Sequence, residues 1–339
     1  MQKTLNIGVI GSGAISTAHF EAIDKVDTLK LMGVASKSIE DANEIAEKQG
    51  CKVYDDAIHL IEDPAIEVVI LLTPPGVHHD FILRSIQNEK HLIVEKPLGV
   101  SLEHIDQYIQ YAQKVGVTLS VISQHRFDEA SSFIRKKIDQ SLLGDIKGGS
   151  CEVLWYREQD YYNEWRKKKT LSGGGVLAIQ AIHTIDLMLW YLGDVKGVKA
   201  YTGTTGHTDI DVEDIAAACI EFEEGKLATI NATTTAYPGY PARLTLFGKD
   251  GSVTLASDEI QYYQSRHEQE SYKANGDVNQ TVDGPAAVSV SSFVKQYKDI
   301  YKAIQNGESP LVSGEEARKA YALIDAIYQS AHTGREIRL

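Results

Sequence analysis

Gly11-Ser12-Gly13-Ala14-Ile15 follows an apolar run, Leu5 to Ile10, and opens a helix-like segment. Glycines so placed allow a tight turn and let a pyrophosphate approach the backbone, where the N–H groups at a helix N-terminus face it. Gly11 permits the turn and Gly13 the approach. Ser16 occupies the third glycine position of this fingerprint and is small enough for close packing. The loop therefore predicts dinucleotide binding. About 20 residues on, a carboxylate would hold the ribose hydroxyls of NAD. This chain has Ala35-Ser36-Lys37-Ser38 instead. Hydroxyls and a cation suit a 2′-phosphate better than a diol, so Ser36 and Lys37 predict NADP(H) over NAD(H). The alternative for Lys37 is a solvated surface charge.

His183 and Asp186 lie three apart on a predicted helix and share a face. A carboxylate so placed could orient the imidazole and support its protonated form. Tyr156, Arg157, Tyr161, Tyr162, Trp165 and Arg166 form an aromatic and basic cluster. Aromatic faces stack on sugar rings, and arginine pairs with carboxylates or phosphates in bidentate fashion. The cluster points to a hydroxylated and anionic substrate. Lys167-Lys168-Lys169 reads as a solvated basic run, and Tyr237-Pro238-Gly239-Tyr240 as a turn that could also line a cleft.

Short apolar runs must position these residues. Leu5 to Ile10, Leu29 to Ala35, Val68 to Leu72, His91 to Val94 and Thr118 to Ile122 read as buried strands. Amphipathic segments, Ile39 to Gln49, Val77 to Asn88 and Leu102 to Val115, alternate with them. That rhythm predicts βαβ units in a doubly wound parallel sheet. After residue 123 the pattern changes. Helices are expected over Phe127 to Leu143, Val176 to Leu192, Val290 to Asn306 and Glu315 to Thr333. Strands are expected over Ile146 to Tyr156, Ile215 to Phe222, Lys226 to Thr235, Ala242 to Phe247 and Ser252 to Leu255, joined by hairpin-like turns. Residues 265 to 290 are polar and carry no clear pattern. The expected fold is α/β: a Rossmann domain over 1–123 and an α+β domain over 124–339 with a large, open-faced, mainly antiparallel sheet.

The chain has 339 residues, 43% of them hydrophobic, enough for two cores. No apolar run reaches the roughly 18 residues of a membrane span, and no signal-peptide pattern is present, so a cytoplasmic protein with no membrane partner is expected. A net charge of −13 argues against a nucleic-acid partner. Cys51, Cys151 and Cys219 are too scattered for a disulfide framework, and no metal-ligand spacing occurs.

From Glu95-Lys96-Pro97 onward the chain resembles the glucose–fructose oxidoreductase, inositol dehydrogenase and MocA family. The motifs are the glycine loop, Thr73-Pro74-Pro75 with His78, Glu95-Lys96-Pro97, Gln124-His125-Arg126-Phe127, Trp155-Tyr156-Arg157, Trp165-Arg166, Gly173-Gly174-Gly175, His183-Thr184-Ile185-Asp186 and Pro310 to Ala317. Their order and spacing span essentially the whole chain.

The resemblance implies hydride transfer at a carbon of a sugar, polyol or sugar derivative held between the two domains. It also implies a homodimer or homotetramer assembled through the large sheet. It makes Lys96 the acid/base and His183 its partner on the reacting hydroxyl, with Asp186 behind the imidazole. Gly11, Ser12, Gly13, Ala14, Ile15, Ser36, Lys37, Thr73, Pro74, Pro75, His78, Glu95, Lys96, Gln124, Trp165 and Arg166 become candidate cofactor contacts. Tyr156, Arg157, Tyr161, Gln180 and His183 become candidate substrate contacts.

One position departs from the pattern. Many family members carry an aspartate where this chain has Ile179. Gln180 projects about 100° further round an ideal helix and is no automatic replacement. Two other readings stand beside the dehydrogenase. One is an NAD-dependent enzyme that oxidises transiently during glycoside cleavage; the other is a non-catalytic NAD(P) sensor.

Overall fold

The computed structural model describes residues 3–269, 271–273 and 289–339, in two compact units. The first contains the chain up to Gln124 together with the described residues from 289 to Arg318. Its sheet is built from β1 (Leu5–Ile10), β2 (Leu29–Ala35), β3 (Lys52–Tyr54), β4 (Val68–Leu71), β5 (His91–Val94) and β6 (Leu119–Val121). All neighbours are parallel, in the order β3-β2-β1-β4-β5-β6. Strands buried on both faces need continuous apolar sequence, and Ile7, Val9, Ile70 and Ile93 supply it. The order reverses between β1 and β4. In such sheets ligands bind beyond the carboxyl ends of the strands at that switch point.

The expected single cut at 123/124 is corrected by the helix Val290–Asn306. Phe293, Tyr297 and Ile300 recur at helical spacing and are buried with Phe20 and Ile23 of the helix Ser16–Asp24. The first unit is therefore discontinuous in sequence. Gln296 on the same helix donates its amide to the Val121 carbonyl (2.8 Å) and accepts the Ser123 N–H (3.1 Å).

The second unit holds β7 (Ile146–Leu154), β8 (Val195–Gly203), β9 (Ile215–Phe222), β10 (Leu227–Thr233), β11 (Arg243–Gly248), β12 (Gly251–Ala256), β13 (Glu259–Ser265), β14 (Tyr272–Lys273) and β15 (Ile337–Arg338). Their order is β14-β13-β12-β11-β7-β10-β9-β8-β15. Only β7 and β10 pair in parallel among these strands. One face packs on the helix Ile182–Leu192 through Cys151, Val153, Ile185, Met188 and Ile230. Along the opposite face the register sets Cys219, Thr229, Ser150, Thr245 and Thr254 side by side. The row continues into Lys199, which pairs with Cys219, and the face exposes Tyr201, Leu227, Phe247 and Tyr262.

The stretch Lys169–Leu192 corrects one expectation. It has 24 residues, and its most apolar 18-residue window has a mean hydropathy of 1.4, long and apolar enough to cross a membrane, yet 78% of that window is buried in the fold. It is a core element, broken at Gly173 and Gly174, whose φ angles are +79° and +155°. Of the polar stretch 265–290, the part from 274 to 288 lies outside the described residues.

Candidate active site

The glycine loop follows β1 at the switch point. Gly11 has φ +113°, and a Cβ there would lie 2.9 Å from the Leu72 carbonyl carbon, so only glycine fits. A Cβ on Gly13 would meet nothing within 4 Å. Room is thus left beside the backbone at the position expected to face a pyrophosphate. Ile15 caps the helix Ser16–Asp24 without any side-chain bond, while the Ser16 N–H turns back to the Gly13 carbonyl (2.8 Å) and the Ala18 N–H to the Ile15 carbonyl (3.1 Å). These residues fit a dinucleotide.

At the ribose end, the Ser12 hydroxyl lies 2.7 Å from that of Ser36 and donates to the Asp41 carboxylate at 3.0 Å. Lys37 is exposed. The sequence reading gave Asp41 no part, because Ser38 and Asp41 look like an ordinary helix start. Ser38 does cap the helix, accepting the Asp41 N–H. The Asp41 side chain nonetheless faces the glycine loop through Ser12.

Beyond β4, Thr73 keeps its hydroxyl buried and without a partner, and Pro74 and Pro75 enter a short 3₁₀ turn, Pro75–Val77. His78 was expected to touch cofactor. It is fully buried, with Nε2 on the Thr73 carbonyl (2.8 Å) and Nδ1 on the Leu98 carbonyl (3.2 Å). Burial pushes its pKa down, against those carbonyls. His78 therefore ties the Thr73 carbonyl to the Leu98 carbonyl.

Glu95 follows β5 and engages Lys96. One carboxylate oxygen is 2.9 Å from His19 Nε2, and the other accepts the Lys96 N–H at 3.1 Å. His19 Nδ1 is 2.5 Å from the Tyr297 hydroxyl. Burial pushes the Glu95 carboxyl up, but His19 and the Lys96 charge outweigh it and hold it below the usual range. Glu95 thus fixes the backbone of Lys96, whose peptide to Pro97 is cis. Gln124 is buried with its Oε1 unpartnered. Neither His19 nor Tyr297 was singled out in the sequence.

In the second unit, Leu177–Ala181 is a turn of π-helix that runs into the helix Ile182–Leu192. This corrects the ideal-helix argument about Gln180, since a π turn advances less per residue and shifts the phase. Ile179 is half-buried. Gln180 is 4% exposed, and neither end of its amide has a partner. The turn is held by Glu213, which accepts the Gly175 N–H (2.8 Å), the Leu177 N–H (2.9 Å) and the Tyr328 hydroxyl (2.9 Å). A Cβ on Gly175 would lie 1.8 Å from the Glu213 carbonyl oxygen.

Asp186 has a buried partner from an earlier element. Arg126 Nε and Nη2 donate to its two carboxylate oxygens at 2.8 and 2.7 Å, with both side chains almost fully buried. A bidentate buried pair commits the carboxylate to the guanidinium. Asp186 thus anchors the helix that carries His183. The His183 ring meets His125 edge-on, with centroids 5.0 Å apart. His125 Nδ1 lies 2.7 Å from Asp128 and 3.0 Å from Asp258.

The aromatic cluster forms as expected in part. Arg157 stacks over Trp155 (5.0 Å) and Tyr161 (5.5 Å), and Arg166 over Tyr161 and Trp165 (both 4.7 Å). Tyr156 packs edge-on against Tyr237. Tyr162 instead turns inward, buried and bonded to Thr234. His207 ties the Arg157 carbonyl to Asp214.

Comparison with known proteins matches residues 5–123 to the family described as "Oxidoreductase family, NAD-binding Rossmann fold". Residues 135–339 match "Oxidoreductase family, C-terminal alpha/beta domain". The chain is 26% identical to the myo-inositol 2-dehydrogenase of Thermotoga maritima, over 99% of this chain and 98% of that one. It is 25% identical to an NADP(+)-dependent scyllo-inositol 2-dehydrogenase of Bacillus subtilis, over 99% and 96%. The WlbA dehydrogenase of Bordetella pertussis, solved with NADH and UDP-GlcNAcA, superposes with a TM-score of 0.88 at 25% identity, covering 100% and 98%.

The His125 cluster predicts a pH dependence of stability. Burial pushes the imidazole down, but Asp128 and Asp258 outweigh it and hold its pKa at about 10, against an ordinary 6.5. Between those values the folded chain keeps a proton that the unfolded chain lacks. The contribution is full below 6.5 and is lost as pH rises through about 10. Urea unfolding of wild type should show this decline, and His125→Gln should flatten it. Parallel pH profiles for the two proteins would refute the charged cluster.

Proposed function

This chain belongs to the oxidoreductase family with an NAD-binding Rossmann fold, and we propose that it interconverts a secondary alcohol and ketone on a sugar, an inositol-like polyol or a sugar derivative. One connection carries the reading. The glycine loop opens the helix Ser16–Asp24, His19 on that helix holds Glu95, and Glu95 holds the backbone of Lys96. The phosphate end and the proton-transfer end of the first unit are thus built on one helix.

A bound nicotinamide would take up or supply the hydride. The chain's own residues handle the rest. The Lys96 amine takes the hydroxyl proton as the carbonyl forms, and returns it in the reverse direction. The His183 imidazole orients the reacting oxygen, and the Arg126–Asp186 pair fixes the helix beneath it. The faces of Tyr156 and Tyr161 suit a sugar ring. Relatives named for inositols, and one solved with a UDP-linked sugar acid, support a hydroxylated ring as substrate.

Cofactor choice is the finer part of this proposal. Ser36 and Lys37 favour NADP(H), while the Asp41 carboxylate opposes its 2′-phosphate. Both dinucleotides are accepted on this reading, with Asp41 limiting the preference for NADP(H). The outer face of the large sheet, bearing Tyr201 and Leu227, is proposed to pair two copies of the chain.

Lys96→Met should abolish turnover and leave dinucleotide binding within about threefold, by fluorescence titration. Unchanged turnover would remove Lys96 from its role. Asp41→Asn deletes one exposed repulsion of up to about 1 kcal/mol, so the NADP(H)/NAD(H) affinity ratio should rise about fivefold. A constant ratio would show that Asp41 does not face the ribose. Light scattering should give a dimer or tetramer, with Leu227→Lys shifting it toward monomer; a monomeric wild type would exclude the sheet pairing.

A further inference from the structure

Gln180 is the least satisfied side chain in the second unit. It is 4% exposed, and both its Oε1 and its Nε2 are buried without a hydrogen-bond partner. Gln296 in the first unit shows the ordinary arrangement, an equally buried amide bonded at both ends. Burying both ends of an amide unmet is unfavourable unless a partner from outside the chain meets them. Gln180 lies on the π turn three residues before His183, and such turns recur at functional sites.

Other buried polar atoms of this unit also lack a partner, Trp155 Nε1 and Arg166 Nε together with Ser131 Oγ, Ser257 Oγ and Gln261 Nε2. Trp155 packs against the core cluster that contains Leu177, Ala178 and Ala181, the apolar side of the same turn. Arg157 lies over the Trp155 ring, and Arg157 and Arg166 both stack on Tyr161. Their side-chain hydrogen bonds run to neutral oxygens, the Tyr156 carbonyl and the Asn163 amide. Neither guanidinium meets a carboxylate among the described residues. Gln180 thus leaves both ends of its amide unmet, and Arg166, one of the two guanidinium groups on Tyr161, leaves its Nε unmet. Ile179 adds no negative charge to the turn.

We infer that this unit recognises a sugar bearing an anionic group, a carboxylate or a phosphate. The Gln180 amide reads a ring hydroxyl, accepting and donating at once. Arg157 and Arg166, braced on Tyr161, take the anionic oxygens. A neutral amide at 180 beside an apolar residue at 179 leaves the site without the repulsion that a carboxylate there would exert on such a substrate. The inference rests on the dehydrogenase reading and narrows its substrate class.

The test compares kcat/KM for D-glucuronate, glucose 6-phosphate, D-glucose and myo-inositol with each dinucleotide, alongside calorimetric binding of the same four compounds. An anionic sugar should be preferred over D-glucose by about tenfold or more. Glucuronate and glucose 6-phosphate distinguish carboxylate from phosphate recognition. Gln180→Glu should lower kcat/KM for every sugar, and for the preferred anion by about tenfold more than for D-glucose. Arg157→Gln should erase the preference.

Gln180→Met is the folding control. If the amide serves a ligand, this variant melts at or above the wild-type temperature while kcat/KM falls for every sugar. A lower melting temperature with unchanged kcat/KM would mean that Gln180 is merely structural, and would overturn the assignment. Equal or better use of neutral sugars would overturn the inference and leave the dehydrogenase standing. Turnover of no sugar with either dinucleotide would remove both.

Discussion

The carboxylate of Glu213 is buried, and the backbone around it is shaped to it. Two N–H groups and one tyrosine hydroxyl converge on its oxygens. Burial pushes its pKa up, and the Leu177 and Gly175 N–H groups work against that push. The glycines at 174 and 175 follow from this arrangement. A Cβ on Gly174 would lie 1.9 Å from the Tyr328 hydroxyl, and one on Gly175 would run into Glu213 itself. A chain that must bring Gly175 and Leu177 to one carboxylate enters its helix through a π turn, and that turn sets where Ile179, Gln180 and His183 stand.

The first unit solves the parallel problem with a histidine. Lys96 follows a short strand, and a lysine at a strand end has no reason of its own to hold one direction. Glu95 supplies the constraint by accepting the Lys96 N–H, and His19 and Tyr297 complete the buried row. Tyr297 comes from a helix that begins almost two hundred positions after Lys96, at Val290. Packing that helix against Ser16–Asp24 buries Phe293 and Ile300 and carries the tyrosine to the histidine.

Charge is distributed with the same economy. Arg126 and Asp186 cancel each other in the core, because a lone buried ion would be costly. His125 is shared between Asp128 and Asp258. Arg157 and Arg166 instead rest on aromatic faces, which hold a guanidinium in place without neutralising it. Asp41 stands on the glycine loop at the end where a cation was expected to dominate.

The sequence by itself determined the two architectures, through strand and helix periods. It also determined the glycine loop, since backbone that needs φ +113° and no side chain must be glycine. The edge strands β3, β14 and β15 are short and were not legible, and neither were β13, which follows a left-handed turn at Ser257 and Asp258, and the nine-residue β8. Among site residues, the motifs located Lys96 and His183. The tertiary structure decided what surrounds them. His19 and Tyr297 are 278 positions apart and meet only by packing. Asp186 keeps helical spacing with His183, and only packing brings Arg126, 60 positions earlier, to its carboxylate. Composition does not reveal a slip from α to π hydrogen bonding, so only the folded chain shows Gln180 buried with its amide unmet.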